Sequence, residues 1–178
     1  PAQRLGEPGI RRDDAHVAGG RLGDEAGDLA AAGGEDRLEG LGIVTDEVMG
    51  RMAKSHPEDQ FDYYFDRKYD QRFVHSTNVT PHTKHPVTRL PILIRYWLDH
   101  PVRKDVVKQK ANVFFSPDGF IPLGMGIPKV SMVHDVAYLR YPEHLQPRIR
   151  SFYKKWMPRY LAYTDHIITV SEFSKREI

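Results

Sequence analysis

Apolar positions first fall into a regular pattern in "LEGLGIVTDEVMGRMAKSHPE", where Val44, Val48 and Met52 recur on one helical face. A turn at Gly40-Leu41-Gly42 precedes this helix. His56-Pro57 stops it, because the residue before a proline is pushed out of helical geometry. "FDYYFDR", from Phe61 to Arg67, reads as a short strand. A weaker strand is expected around Phe73 to Ser76, followed by a His- and Pro-rich loop through Pro86. In "RLPILIRYWLDHPVRKDVVKQK", Leu90, Leu93, Ile94, Trp97 and Leu98 follow helical spacing and Val102 and Val106 extend the stripe, so one helix bent at Pro101 is expected. "ANVFFS" and "KVSMVHD" are short apolar runs of the kind buried on both faces of a parallel sheet. Ile149, Phe152, Trp156 and Tyr160 then stripe a basic helix that Pro158 should bend or divide. "HIITVS" returns to strand composition, and "SEFSKREI" opens a further helix with Ser171 as its N-cap.

Strand and helix alternate, which predicts an α/β fold with a Rossmann-like, largely parallel sheet flanked by helices. Ligands of such sheets bind beyond the carboxyl ends of the strands. Polar residues converge on that edge from three strand ends: Ser116-Pro117-Asp118-Gly119, His134-Asp135 and Ser171-Glu172. The glycines Gly40 and Gly42 add a place where a ligand could approach the backbone. Each feature also has a purely structural use. A His-Asp pair can cap the next segment, Ser-Pro-Asp-Gly is a turn signal, and Ser171 is a helix cap whatever else it does. Gly-Leu-Gly alone is weak evidence of phosphate binding. His75, His82 and His85 show no third ligand at a recognised metal spacing, so exposed loop histidines are the default there.

The first 37 residues change the picture of domain organisation. They are Gly, Ala, Arg and Asp in irregular order, and every aromatic residue of the chain lies at Phe61 or later. Residues 1–37 therefore read as a low-complexity leader, disordered or non-native, that supplies no strand, and residues 38–178 as the folded domain. The chain closes within the first turns of a helix, so it reads as a fragment.

Composition narrows the function classes. A net charge of +2 over 178 residues calls for no nucleic-acid partner, and the absence of Cys removes disulfides, thiolate metal sites and cysteine nucleophiles together. A reducing cytoplasm is the easiest compartment. No run approaches the roughly 20 apolar residues of a membrane span. Asn78-Val79-Thr80 fits a glycosylation sequon, read here as a chance match. The cluster of Arg148, Arg150, Lys154, Lys155 and Arg159 fits a solvated helix face, or a contact with anionic headgroups or an acidic acceptor at the inner face of a membrane.

"IPKVSMVHDVAYLRYPEHLQPRIRSFYKKWMPRYLAYTDHIITVSEFSKREI", with "VFFSPDGF", "LEGLG" and "FDYYFDRKYD", resembles the N-terminal half of glycosyltransferase family 4, the retaining GT-B enzymes, and among them the mannosyltransferase-like group. The resemblance runs from about Leu38 to Ile178. It implies an acceptor-side domain of an enzyme that moves a sugar from a nucleotide-sugar to a saccharide or lipid-linked acceptor, with no metal and no other cofactor. It implies that Gly40 and Gly42 approach the donor phosphates and sugar, that His134 is the catalytic histidine positioning acceptor and transferred sugar, and that Asp118, Gly119, Asp135 and Ser171 line the substrate side of the cleft. The family opens with a strand directly before its glycine turn. Here the leader takes that place, so the central strand is expected to be missing. The donor-binding second domain is expected to be missing too, leaving the chain alone with little or no turnover, since no cations would stabilise the leaving diphosphate. The competing reading is a non-catalytic nucleotide-binding module of the same fold.

Overall fold

In the computed structural model, which describes residues 16–19 and 40–178, six strands form one parallel sheet. They are β1 (His16–Gly19), β2 (Gln60–Phe65), β3 (Val79–Thr83), β4 (Val113–Ser116), β5 (Lys129–Met132) and β6 (His166–Ile168). Their order across the sheet is β3-β2-β1-β4-β5-β6, with every neighbour parallel. From β1 the chain builds outward to β3, then crosses back and builds the other way from β4. Because such crossovers are right-handed, the helices of the two halves fall on opposite faces.

The expected parallel α/β architecture is therefore present, with two corrections among its strands. Residues 1–37 do contribute one: β1 is the central strand, with Val17 opposite both Phe61 and Val113. A central strand draws hydrogen bonds from two neighbours, so a run as short as His-Val-Ala-Gly can hold its place without a periodic pattern of its own. The rest of that segment lies outside the described residues. The second correction concerns the third strand. Residues 71–73 form a 3₁₀ turn, and the strand is β3, inside what reads as a His- and Pro-rich loop. β3 is an edge strand, and at an edge the missing N–H of Pro81 can face solvent without breaking a ladder.

Helix α1 (Gly40–Ser55) covers one face of the sheet. Met49 and Ala53 pack there against Phe61, Tyr63 and Phe65, and the Tyr63 hydroxyl donates to the Met49 carbonyl at 2.9 Å. Tyr64 and Phe114 face the other way, into a larger core with α2 (Pro91–Trp97), α3 (Arg103–Gln109), α4 (Ala137–Arg140) and α5 (Pro147–Tyr163). This two-sided burial is why "FDYYF" shows no polar alternation: successive residues point to opposite cores. One polar exception sits on the Tyr64 face. Asp62 is buried and lies 2.7 Å from His82 Nε2, and His82 in turn faces Asp105 of α3, whose carboxylate also takes Lys84 Nζ at 2.8 Å. His82 and His75 are thus half-buried partners of carboxylates, His75 with Asp46 at 2.9 Å, and not exposed loop residues; His85 is exposed.

Neither internal proline breaks its helix. Between α2 and α3 the chain passes through a π turn, Leu98–Val102, that contains Pro101, so the wider turn absorbs the missing donor. α5 runs unbroken through Pro158, which lies on its exposed side. A polar staple fixes the far end of α1. Asn78 Nδ2 reaches the carbonyls of Ala53, His56 and Asp59 at 3.1, 2.9 and 2.8 Å, and so ties the helix terminus to the start of β2. The sequon asparagine has this structural employment.

Two measurements check the packing. Trp97 is wholly buried and its indole donates to the Lys84 carbonyl, so Trp97→Ala should cost about 3–5 kcal/mol in urea unfolding. Burial raises the Asp105 carboxyl, but the hydrogen bond and charge of Lys84, with lesser help from His82 and Tyr64, outweigh it, and the net shift is downward. A depressed carboxylate contributes stability above its unfolded value that is lost as pH falls through the folded one. The melting temperature should accordingly drop below about pH 4, and Asp105→Asn should flatten that part of the profile.

Candidate functional site

Because the strands are parallel, their carboxyl ends share one edge, and β4, β5 and β6 are neighbours along it. β4 runs out at Ser116, whose buried hydroxyl donates to Asp118 Oδ1 at 2.8 Å. The same oxygen accepts the Phe120 backbone N–H at 3.2 Å, so Asp118 closes a tight side-chain turn. Gly119 follows at φ +82°, in the left-handed region, and a Cβ there would lie 3.2 Å from Met157 Cε of α5 and 3.6 Å from the Met132 carbonyl. Both conformation and space require glycine. The turn brings the Pro117 carbonyl toward the end of β5.

β5 continues one step past its last paired residue, the Val133 N–H donating to the Ile168 carbonyl at 2.8 Å. His134 comes next and is held at both ends. Its Nε2 lies 2.9 Å from the Pro117 carbonyl, and Ser174 Oγ donates to its backbone carbonyl at 2.9 Å. A carbonyl can only accept, so a neutral imidazole in this bond carries its proton on Nε2 and presents Nδ1 as an acceptor. The ring is half-buried at the rim.

The polar neighbours are largely engaged locally. Asp135 Oδ1 accepts the Ala137 N–H at 2.9 Å and so starts α4. Ser171 caps α6 (Glu172–Glu177), its hydroxyl accepting the Ser174 N–H at 3.0 Å. Ser174 is then free through its own Oγ to hold His134. This buried serine is the residue that reading the sequence alone misses; its trace is the Ser-x-x-Ser spacing, in which a cap residue at one end leaves a second hydroxyl one turn on. Beside it, Ile167, Thr169, Val170, Ser171 and Glu172 line part of a hollow of about 670 Å³ at the outer side of β6.

Asp118, Gly119, His134, Asp135 and Ser171 thus meet along three adjacent strand ends. Gly40 and Gly42 reach the same edge by topology. α1 closes on β2 through the short His56–Asp59 connection at the opposite edge and is sixteen residues long, so its first turn lies at the carboxyl edge. The glycines form that first helical turn, a correction to the expected turn ahead of the helix. Among the described residues, the cluster with metal-ligand geometry is His56, Glu58 and Asp59, the first two exposed and the third half-buried, and it is remote from this rim.

An open parallel sheet covered by helices on both faces, with its polar turns at the carboxyl ends of the strands, is a Rossmann-like domain. The family model for Glycosyltransferase Family 4 matches residues 42–178, most of the chain, and the chain belongs to that family. Comparison with curated proteins and with solved structures returned no match. No helix among the described residues is long and apolar enough to cross a membrane.

The geometry at Gly119 makes a direct test. Gly119→Ala should lower unfolding stability by more than about 1 kcal/mol, because alanine is strained at positive φ and here also meets Met157. Gly126→Ala, where nothing lies within 4 Å of a Cβ, is the control and should change stability far less.

Proposed function

We propose that this domain is the acceptor-side, GT-B-type half of a retaining glycosyltransferase that moves a sugar from a nucleotide-sugar to a hydroxyl of a saccharide or lipid-linked saccharide, in the cytoplasm, with mannose as the first donor sugar to try. The observation that carries the reading is His134, locked by Pro117 and Ser174 so that an unengaged ring nitrogen stands at the rim. Nδ1 accepts a hydrogen bond from a sugar hydroxyl, and the fixed ring sets the angle at which the acceptor oxygen meets the anomeric carbon. In the reaction the bond from that carbon to the diphosphate oxygen breaks, a bond to the acceptor oxygen forms on the same face of the sugar, and the acceptor's hydroxyl proton passes to the diphosphate oxygen, which departs as the nucleoside diphosphate.

The other residues have supporting parts in this reading. The first turn of α1, with Gly40 and Gly42, offers backbone N–H groups and the positive end of a helix dipole to the donor phosphates. Gly119 allows the close turn that places the Pro117 carbonyl, while Asp118, Asp135 and Ser171 shape the substrate side of the rim. The reading assigns no metal or other cofactor. A non-catalytic nucleotide-binding module remains the competitor, and it fits the same fold.

The two separate in one titration of the full chain. Mannosyl saccharides and lipid-linked saccharide analogues, added with and without GDP-mannose or UDP-sugars, should shift the His134 ring signals in NMR. His134→Ala should weaken saccharide binding by about tenfold or more, the loss of a hydrogen bond to a fixed partner, with the fold retained. Nucleotide binding with no response to any saccharide would overturn the transferase reading in favour of the module.

A further inference from the structure

The two helix-covered faces of the sheet differ in charge. α1 mixes signs on one face, with Asp46 and Glu47 beside Arg51 and Lys54. On the other, α5 carries Arg148, Arg150, Lys154, Lys155 and Arg159 and no carboxylate at all. α2, its π turn and α3 add further cations, and their two carboxylates are turned inward. Asp99 accepts the Leu123 N–H at 2.8 Å and pairs with Arg95, while Asp105 is held by Lys84. Lys104, Lys108, Arg148 and Lys154 are exposed and have no carboxylate partner among the described residues.

Apolar side chains stand exposed in the same layer. Ile94, Trp97 and Leu98 take the core side of α2, which leaves Ile92 and Tyr96 on its outer side at 54% and 52% exposure, and Val107 of α3 is 64% exposed. Arg95 lies 3.9 Å above the Trp156 ring and joins α2 to α5, so these residues and the α5 cations belong to one continuous surface. At the π turn between α2 and α3, Tyr96, Asp99, His100, Arg103, Lys104 and Val107 line a hollow of about 590 Å³ in which Asp99 is already paired with Arg95.

From this combination we infer that the α2–α3–α5 layer docks on the surface of an anionic phospholipid bilayer. Cations without partners lower their energy near anionic headgroups, and isolated exposed aliphatic and aromatic side chains gain by entering the zone between headgroups and acyl chains. Ile92 and Val107 would gain nothing of the kind from a nucleic-acid backbone, which makes a bilayer the better match to the surface. In the docked state the strands lie parallel to the membrane plane, because the helices that touch it run along them, and the rim with His134 faces sideways. The inference does not rest on sugar transfer and would stand even if His134 bound no saccharide.

Sedimentation of the full chain with vesicles tests it. Phosphatidylcholine vesicles should retain little protein. Vesicles with about one third phosphatidylglycerol should retain most of it, and less as salt rises. The combined variant Lys104→Glu, Lys108→Glu, Lys154→Glu and Lys155→Glu should weaken that partition by at least about tenfold with its circular dichroism unchanged. Arg51→Glu with Lys54→Glu on the α1 face should leave it nearly as it was. Ile92→Trp, which keeps every charge, should show quenching by brominated phosphatidylglycerol, and this result decides the matter even if the combined variant fails to fold. Equal binding to neutral and anionic vesicles, no binding to either, equal loss on the two faces, or an unquenched Ile92→Trp alongside tight binding of nucleic acid would each overturn the inference.

Discussion

A parallel sheet buries its inner strands under helices, because its strands can be joined only by crossovers long enough to lie across it, and here the edge strand β6 is left exposed. That requirement organises this chain. It makes β2 apolar on both sides, sends α1 to one face and α2, α3 and α5 to the other, and turns every strand end toward a single edge. The polar turns at that edge then have nowhere else to go. Ser116, Asp118, His134 and Ser174 come together because three neighbouring strands stop there, and each stop needs backbone groups satisfied by something other than a ladder.

The elements legible in the sequence are those whose residues carry their own burial. β2, β4, β5, α2 with α3, and α5 show as apolar runs or stripes because each contributes side chains to a core, whereas α6 shows by its Ser171 cap. β1 and β3 were hidden for opposite reasons. β1 is held by neighbours on both sides, and β3 is an edge strand with Pro81 and His82 in it, so neither needs a β-like composition. Pro158 misled in a third way. It announces a bend or a division that the exposed side of α5 accommodates, while the irregularity expected at Pro101 takes the form of a π turn.

At the candidate site the sequence shows which residues are polar at a strand end, and so His134, Asp118, Asp135 and Ser171 could be read from it. It does not show which of them are already engaged. Asp135 and Ser171 begin helices, Asp118 closes a turn, and only the folded chain reveals that Ser174 and the Pro117 carbonyl fix the one ring that is left with an unengaged nitrogen. Engagement is a property of three-dimensional neighbours. The Ser-x-x-Ser spacing hints at the second hydroxyl but cannot name its partner forty residues away.

The triple grip of Asn78 on the end of α1 has a mechanical side. Sixteen residues make a rigid rod about 24 Å long, clamped at the foot, with the glycines at its tip. A tilt of about five degrees at the clamp would swing the tip by roughly 2 Å, more than the tolerance of a hydrogen bond. The Asn78 amide at the foot, the Tyr63 bond to Met49 midway and the His75 contact with Asp46 nearer the tip therefore set the aim of the chain's glycine-bearing point together.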